Sequence, residues 1–335
     1  FWSENKEVRS SIVTDKGVAR LSFPKEFKLF NLNTESLRQE LFSIVGNSQK
    51  HSTVISLPNA DGNYEQFEVT ETSNFMPALQ ARFPEIRAFT GRGITDKGSI
   101  LKLSISPQGI QTMTFRIAKA DEFIEPYSKD HSTYAVFKSQ RAKGQLPWTC
   151  STPDQQLAQG LNAKVATAGF TGSSAGELKT MRLAQSCNGE YANYFGATSS
   201  AQVALVLAAF NATLTRCNGC YEKDLAIHLN LVPETVNVIY YDPATDPYTT
   251  LANWNTQLQV ALNTTLTGVG TTLAANNAAY DIGHMFGASG GGGNAGCIGC
   301  VCVNPTSASN NAKGSGITSP ADGIPQGDNF DIDYV

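Results

Sequence analysis

No stretch of this sequence is long and apolar enough to cross a bilayer. The longest apolar run, residues 201–210, already contains Gln202, whereas a span takes about 18 to 20 apolar residues. Charge is scarce too: 16% of residues are charged, and 25 Lys and Arg against 29 Asp and Glu leave a net charge of −4. Without a global basic field nothing draws in a phosphate backbone, which argues against a nucleic-acid partner. What the chain does have is 41% hydrophobic residues over 335 positions. That excludes disorder as a description of the whole and provides for about two domains.

The charge that exists is unevenly placed. Residues 1–150 hold 19 Lys and Arg and 16 Asp and Glu, a net of +3, while residues 151–335 hold 6 and 13, a net of −7. The second half replaces charge with Asn, Thr, Ser, Gln, Gly and Ala, a surface common in exported proteins, and carries six of the seven cysteines. Cysteines at this density pair where the environment is oxidising, which points to a secreted or cell-surface protein. A cytosolic chain with unpaired buried thiols is the alternative. Phe1 in place of Met is what removal of a signal peptide would leave.

Residues 1–140 read as a β-rich α+β domain. Residues 54–57 and 67–70 flank Asn59-Ala60-Asp61-Gly62, a turn that suits a hairpin. Leu101, Leu103 and Ile105 alternate up to Pro107-Gln108-Gly109, and Thr112 and Thr114 then face outward against Met113, Phe115 and Ile117 as a second hairpin. Thr34 caps a short helix carrying Leu37, Leu41 and Val45, and another short helix precedes Phe83-Pro84. Residues 141–178 dissolve into Gly, Ala, Ser, Thr and Gln and read as a linker.

Residues 179–335 alternate strand and helix. Strands are expected over 181–184, 227–232, 236–241 and 279–286. Ser199-Ser200-Ala201-Gln202 opens an amphipathic helix through Val203, Val206, Phe210 and Leu214, and a second helix repeats Leu251, Trp254, Leu258, Leu262 and Leu266. That order implies a mostly parallel twisted sheet with crossover helices.

Few residues here carry obvious chemistry. The run Gly290-Gly291-Gly292-Gly293 lacks the Lys-Ser/Thr of a phosphate loop and reads as a bend into an edge strand. Cys217-x-x-Cys220 and Cys297-x-x-Cys300-x-Cys302 have zinc-ligand spacing, but the two pairs lie too far apart for a compact ribbon, so disulfides are the preferred reading over zinc or free thiols. His51 and His131 sit in polar surroundings and read as surface residues; Asp281 and His284, three apart in a strand, point to opposite faces. Asp328, Asp331 and Asp333 lack the loop length and Gly of a calcium site and read as solvated or helix-capping.

Several blocks together resemble a known family, the secreted bacterial reprolysin-like zinc metallopeptidases of the metzincin group. Phe67-Glu68-Val69-Thr70-Glu71-Thr72-Ser73 and Arg82-Phe83-Pro84-Glu85-Ile86 resemble the pro-region of those precursors. Asn218-Gly219-Cys220-Tyr221-Glu222-Lys223-Asp224-Leu225, Asp246-Pro247-Tyr248 and Tyr280-Asp281-Ile282-Gly283-His284 resemble blocks of the catalytic domain. The most specific match is Lys313-Gly314-Ser315-Gly316-Ile317-Thr318 followed by Gly327-Asp328 and Phe330-Asp331-Ile332-Asp333-Tyr334-Val335. In the family this stretch leads into the zinc-binding helix, a His-Glu-x-x-His-x-x-Gly-x-x-His string. No His-Glu occurs in this sequence.

The resemblance implies a pro-domain over 1–140, the linker 141–178, and over 179–335 the upper, α/β part of a metzincin catalytic domain with an antiparallel edge strand, truncated before the zinc helix. The activity implied is zinc-dependent endopeptidase hydrolysis of peptides or proteins, with the pro-domain as intramolecular inhibitor. The zinc belongs to the full-length protein, and no catalytic residue and no cofactor is expected in this chain. Residues 293–302 match the rim strand on which substrate lies, with Gly293, Ala295, Gly296, Ile298 and Gly299 as candidate substrate-binding positions. Cys150, near the end of the pro-region, is a candidate zinc-blocking thiol. Cys187, Cys217, Cys220, Cys297, Cys300 and Cys302 are the disulfide candidates, and most of them stand where the family has apolar or small residues. A non-catalytic structural or adhesive protein on the same scaffold is the alternative, and a peptide-binding or inhibitory module a third reading.

Overall fold

The computed structural model describes residues 1–139, 151–152 and 176–335. The N-terminal region is a nine-stranded antiparallel sheet: β1 (Trp2–Glu4), β2 (Lys28–Leu32), β3 (Thr53–Pro58), β4 (Tyr64–Glu71), β5 (Arg87–Gly93), β6 (Ile100–Ser106), β7 (Gly109–Phe115), β8 (Glu122–Pro126) and β9 (Thr133–Lys138). Their order across the sheet is β1-β2-β9-β8-β7-β6-β5-β4-β3. Both expected hairpins form. In the first, the Asn59 carboxamide accepts from the Asp61 and Asn63 amides, and Gly62 takes φ +94°, a conformation that costs glycine little. Helix α1 (Thr34–Phe42) covers one face, packing Leu37 and Leu41 on Ile55, Phe67, Phe89 and Leu103, and the short α2 (Pro77–Arg82) ends just before Phe83. Its cap is Asn33, whose side chain accepts from the Ser36 amide at 3.0 Å; Thr34 is already helical.

The C-terminal region is a five-stranded sheet in the order β11-β10-β12-β14-β13. Strands β10 (Lys179–Cys187), β11 (Ile227–Leu231), β12 (Ile282–Phe286) and β14 (Gly316–Ser319) run parallel, and β13 (Gly292–Asn294) pairs antiparallel with β14 at the edge. Helices α3 (Gly189–Tyr194) and α4 (Val203–Leu225) pack on one face of the sheet. On the other face α5 (Trp254–Thr265) buries Trp254, Leu258 and Leu262 against Ala184, Met285 and Ile317. The short α6 (Leu273–Ala278) follows α5 in sequence and lies against it.

One further expectation is corrected. Residues 236–241 do not form a strand: Pro233 opens a 3-10 turn over Pro233–Val238, and the Thr235 hydroxyl takes the Gln185 amide that a neighbouring strand would have used. Only Ile239 bridges to Cys187. The Cys217-x-x-Cys220 motif lies inside α4, which extends to Leu225, so its flanks are helical and not a ribbon turn.

Helix α4 is buried on two sides. Towards its own sheet it presents Val206, Leu207, Phe210 and Leu214. Its opposite side lies on β5, β6 and β7 of the N-terminal sheet, so Lys102, Ser104, Thr112 and Thr114, the polar side of the second hairpin, are buried as well. Gly219 marks the closest approach: a Cβ there would lie 2.6 Å from the Phe115 ring.

Candidate functional site

Strand β13 is an edge of the five-stranded sheet, with a strand neighbour on one side only. An edge strand leaves a row of N–H and C=O groups for another extended segment. In this structure Ser151 and Thr152 take them. The Ser151 amide donates to the Gly293 carbonyl at 3.0 Å, Asn294 Nδ2 donates to Ser151 Oγ at 2.8 Å, and the Ala295 amide donates to Thr152 Oγ1 at 3.0 Å. Past the strand the chain loops back, and the Cys297–Cys300 disulfide closes that loop. Gly296 is held at φ +69° with no room for a side chain, since a Cβ would lie 2.3 Å from the Ser315 carbonyl.

Beneath the loop lies a cavity of about 530 Å³. Gly293, Ala295, Ile298 and Gly299 line it together with Thr152 and His284, whereas Gly296 backs onto Ser315 and stays out of the wall. The structure thus gathers four of the five candidate positions at one cavity. His284 on β12 reaches Thr318 Oγ1 through Nε2 at 3.2 Å, and its Nδ1 is buried with no partner. Burial pushes its imidazole down to about 4, so the ring is neutral at pH 7. Asp281 turns the other way and pairs with Arg182 at 2.7 Å, as strand alternation requires.

The residues present do not compose a zinc site. Among the described residues no group of three or more His, Cys, Asp or Glu is placed to hold a metal ion. His228 on β11 is committed to Glu222 at 2.7 Å and to the Ser73 carbonyl at 3.1 Å. His131 is not a free surface residue either, because it pairs with Asp15 at 3.0 Å. Of the disulfide candidates, Cys297 and Cys300 are bonded to each other. Cys187 is buried in the core against β12, and Cys217 turns its thiol to the Asp331 carbonyl at 3.2 Å. Cys302 is an exposed thiol, and Cys220 on α4 packs against the cluster of Met113, Phe115 and Phe123. Cys150 lies outside the described residues.

Sequence reasoning missed the most polar feature of the interior. Asp328 and Asp331, read as solvated or capping, are buried between the two regions. Arg20 pairs with Glu125 at 2.7 Å and with Asp328 at 2.9 Å; Arg216 pairs with Glu125 and Asp331, each at 2.8 Å, and donates to the Thr112 carbonyl at 3.0 Å. Thr213 donates to Asp331, and Glu125 accepts the Asp328 amide. Three carboxylates therefore share two guanidiniums. Burial pushes Asp331 up to about 6 despite Arg216, and burial and the neighbouring Glu125 raise Asp328. Burial alone would raise Glu125 as well, but Arg20 and Arg216 together hold it below the usual range. A signal was present in the isolated Arg216 inside an apolar helix, since a cation there needs a buried partner.

Comparison with known proteins agrees with this architecture. Residues 178–335 match the family model described as metallo-peptidase family M12B, reprolysin-like. No curated protein matches the chain closely enough to count. Among the described residues no helix is long and apolar enough to cross a membrane. The matched span begins one residue before β10 and covers the whole five-stranded sheet with its helices and the edge strand. From one residue before β10 onward, over residues 178–335, the chain is therefore similar to the reprolysin-like metallopeptidases of family M12B.

Proposed function

We propose that the chain is the precursor form of a secreted or cell-surface zinc-dependent endopeptidase, with residues 1–140 as its pro-domain and β13 as the strand on which an extended substrate lies. One observation carries this reading. Ser151 and Thr152, at the end of the N-terminal half, occupy the main-chain groups of β13 that a substrate would need. Such pairing is β-augmentation, in which main-chain hydrogen bonds supply affinity and side-chain pockets supply selectivity. The cavity under residues 293–301 is a receptacle of that kind. Cys150 stands one peptide unit before Ser151, which suits a thiol delivered to a zinc ion close to the edge. The Cys297–Cys300 disulfide supports an oxidising compartment.

Among the described residues no set of ligands is placed to hold zinc, so no step of peptide hydrolysis is assigned to them. The reading places the zinc helix outside the 335 residues. Replacing Ser151 by proline tests it, because proline lacks the N–H that Gly293 accepts. S151P should bind a fluorescein-labelled extended peptide at least tenfold more tightly by fluorescence polarisation. Unchanged affinity would remove β13 as the substrate edge.

A further inference from the structure

The two edges of the five-stranded sheet are both covered by the N-terminal half, but not to the same depth. At β13 the cover is Ser151 and Thr152, through four hydrogen bonds. At β11 it is residues 74–76, built into the core. The Leu231 amide donates to the Asn74 carbonyl at 2.8 Å, the Met76 amide donates to the Leu231 carbonyl at 2.9 Å, and Phe75 bridges to Leu231 in parallel register. These residues act as a sixth strand. The Asn74 side chain, 2% exposed for the residue, donates to Asn211 Oδ1 at 3.0 Å and Thr215 Oγ1 at 2.8 Å and accepts from Asn218 Nδ2 at 2.9 Å. Phe75, Leu79 and Ile86 then join one core with Leu207, Phe210 and Leu231.

Further along α4 the two regions stay in register. Lys102 pairs with Glu222, and Gly219 admits Phe115. The charge cluster closes the far end: Arg20 and Glu125 come from the N-terminal region, and Arg216, Asp328 and Asp331 from the C-terminal one. Separation would strip α4 of its cover from 206 to 219 and leave these buried polar groups unpaired, the costliest outcome for such groups.

We propose that residues 1–139 remain bound to residues 176–335 as a non-covalent partner when the chain is cut within residues 153–175, so that scission does not release the N-terminal region. Retention rests on the β11 edge, α4 and the charge cluster and not on the functional reading above. The N-terminal region is then a standing subunit of the cut protein.

The test uses the folded full chain with a recognition sequence for a site-specific protease placed within residues 153–175. After complete cutting, gel filtration with light scattering at neutral pH should show one species of the intact chain's mass, while a denaturing gel shows two bands. Amide hydrogen exchange over 206–219 should be unchanged by the cut. Separate elution, or lost protection there, overturns the proposal. Asn74→Ala should raise the dissociation rate of the cut protein about tenfold, the loss expected when one or two buried partners go unpaired, whereas Lys50→Ala at the exposed rim should not. A rate equal to the parent's overturns the role given to the β11 edge. If Asn74→Ala fails to fold, hydrogen exchange on the unsubstituted cut chain decides.

Discussion

Replacing Arg216 by methionine should be among the most damaging single changes in this protein, and the damage should depend on pH. The Arg216 side chain is 1% exposed, with Glu125 and Asp331 each 2.8 Å from its guanidinium and the Thr112 carbonyl at 3.0 Å. Methionine fills the stem volume and removes one of two cations, leaving three buried carboxylates with Arg20 alone. Breaking a buried pair from one side costs about 3 to 5 kcal/mol, a large part of a typical total of about 5 to 15. Asp331 already stands at about 6 because of burial, and loss of Arg216 removes the main pull that opposes it. A carboxyl raised in the folded state contributes stability that is present below its unfolded value near 4 and is lost as pH rises through its folded value. The variant should therefore lose more between pH 5 and pH 8 than the parent does, with the cost near 4 kcal/mol at pH 8 and about 2 at pH 5. Urea unfolding followed by tryptophan fluorescence reads this, since Trp254 is buried in the C-terminal core. Lys50→Met, which removes an exposed pair with Glu40, serves as a control and should cost less than about 1 kcal/mol. A loss below about 1 kcal/mol for R216M at pH 8, or an equal loss at both pH values, would refute the reasoning.

Alkylation of the native chain should label Cys302 readily and reach Cys187 and Cys217 only after denaturation, because the first is exposed and the other two are buried; peptide mapping reads the order, and early labelling of Cys187 would contradict the packing of β10. Limited proteolysis should cut first within residues 141–178 and give fragments near 1–150 and 179–335, as small polar composition suggests; a first cut inside α4 would argue against that division. A purified chain of these 335 residues should bind no catalytic zinc and hydrolyse no peptide, and chelator-sensitive hydrolysis would mean that the active centre has been misplaced.

Elements driven by apolar periodicity were legible in the sequence. The hairpin around Gly109, the helix through Phe210 and the strand ending at Phe286 all follow from it, and the glycine run before Asn294 does bend into an edge strand. The meeting of the two regions was not legible, because it is written in polar residues. Lys102, Thr112 and Thr114 alternate as a solvent face would, and only α4 on top of them makes that face interior. Arg20 and Asp328 are 308 positions apart, and nothing local to either names the other. Asp331 reads as a capping acid in a short acidic run until Arg216 is seen opposite it. At the edge, of the strand expected over 293–302 only Gly293 and Asn294 pair in the sheet, and nothing local to them names Ser151 as their neighbour.

The difference between the two sheet edges bears on how such a protein would be activated. A cover made of four hydrogen bonds, three of them through side-chain hydroxyls, contributes little beyond the entropy of ordering two residues. An extended peptide at the same edge would have to displace it against the high local concentration that covalent attachment gives it. A cut within residues 153–175 leaves Ser151 and Thr152 joined to residues 1–139, so much of that advantage lasts while the N-terminal region stays bound. Residues 74–76 owe nothing to tethering: their amides, the Asn74 carboxamide and the Phe75 ring are buried whether or not residue 139 continues to residue 176. The two edges of the same sheet are therefore kept covered for different reasons, one by packing and one by covalent attachment, and the attached cover is the one bordering the cavity beside His284.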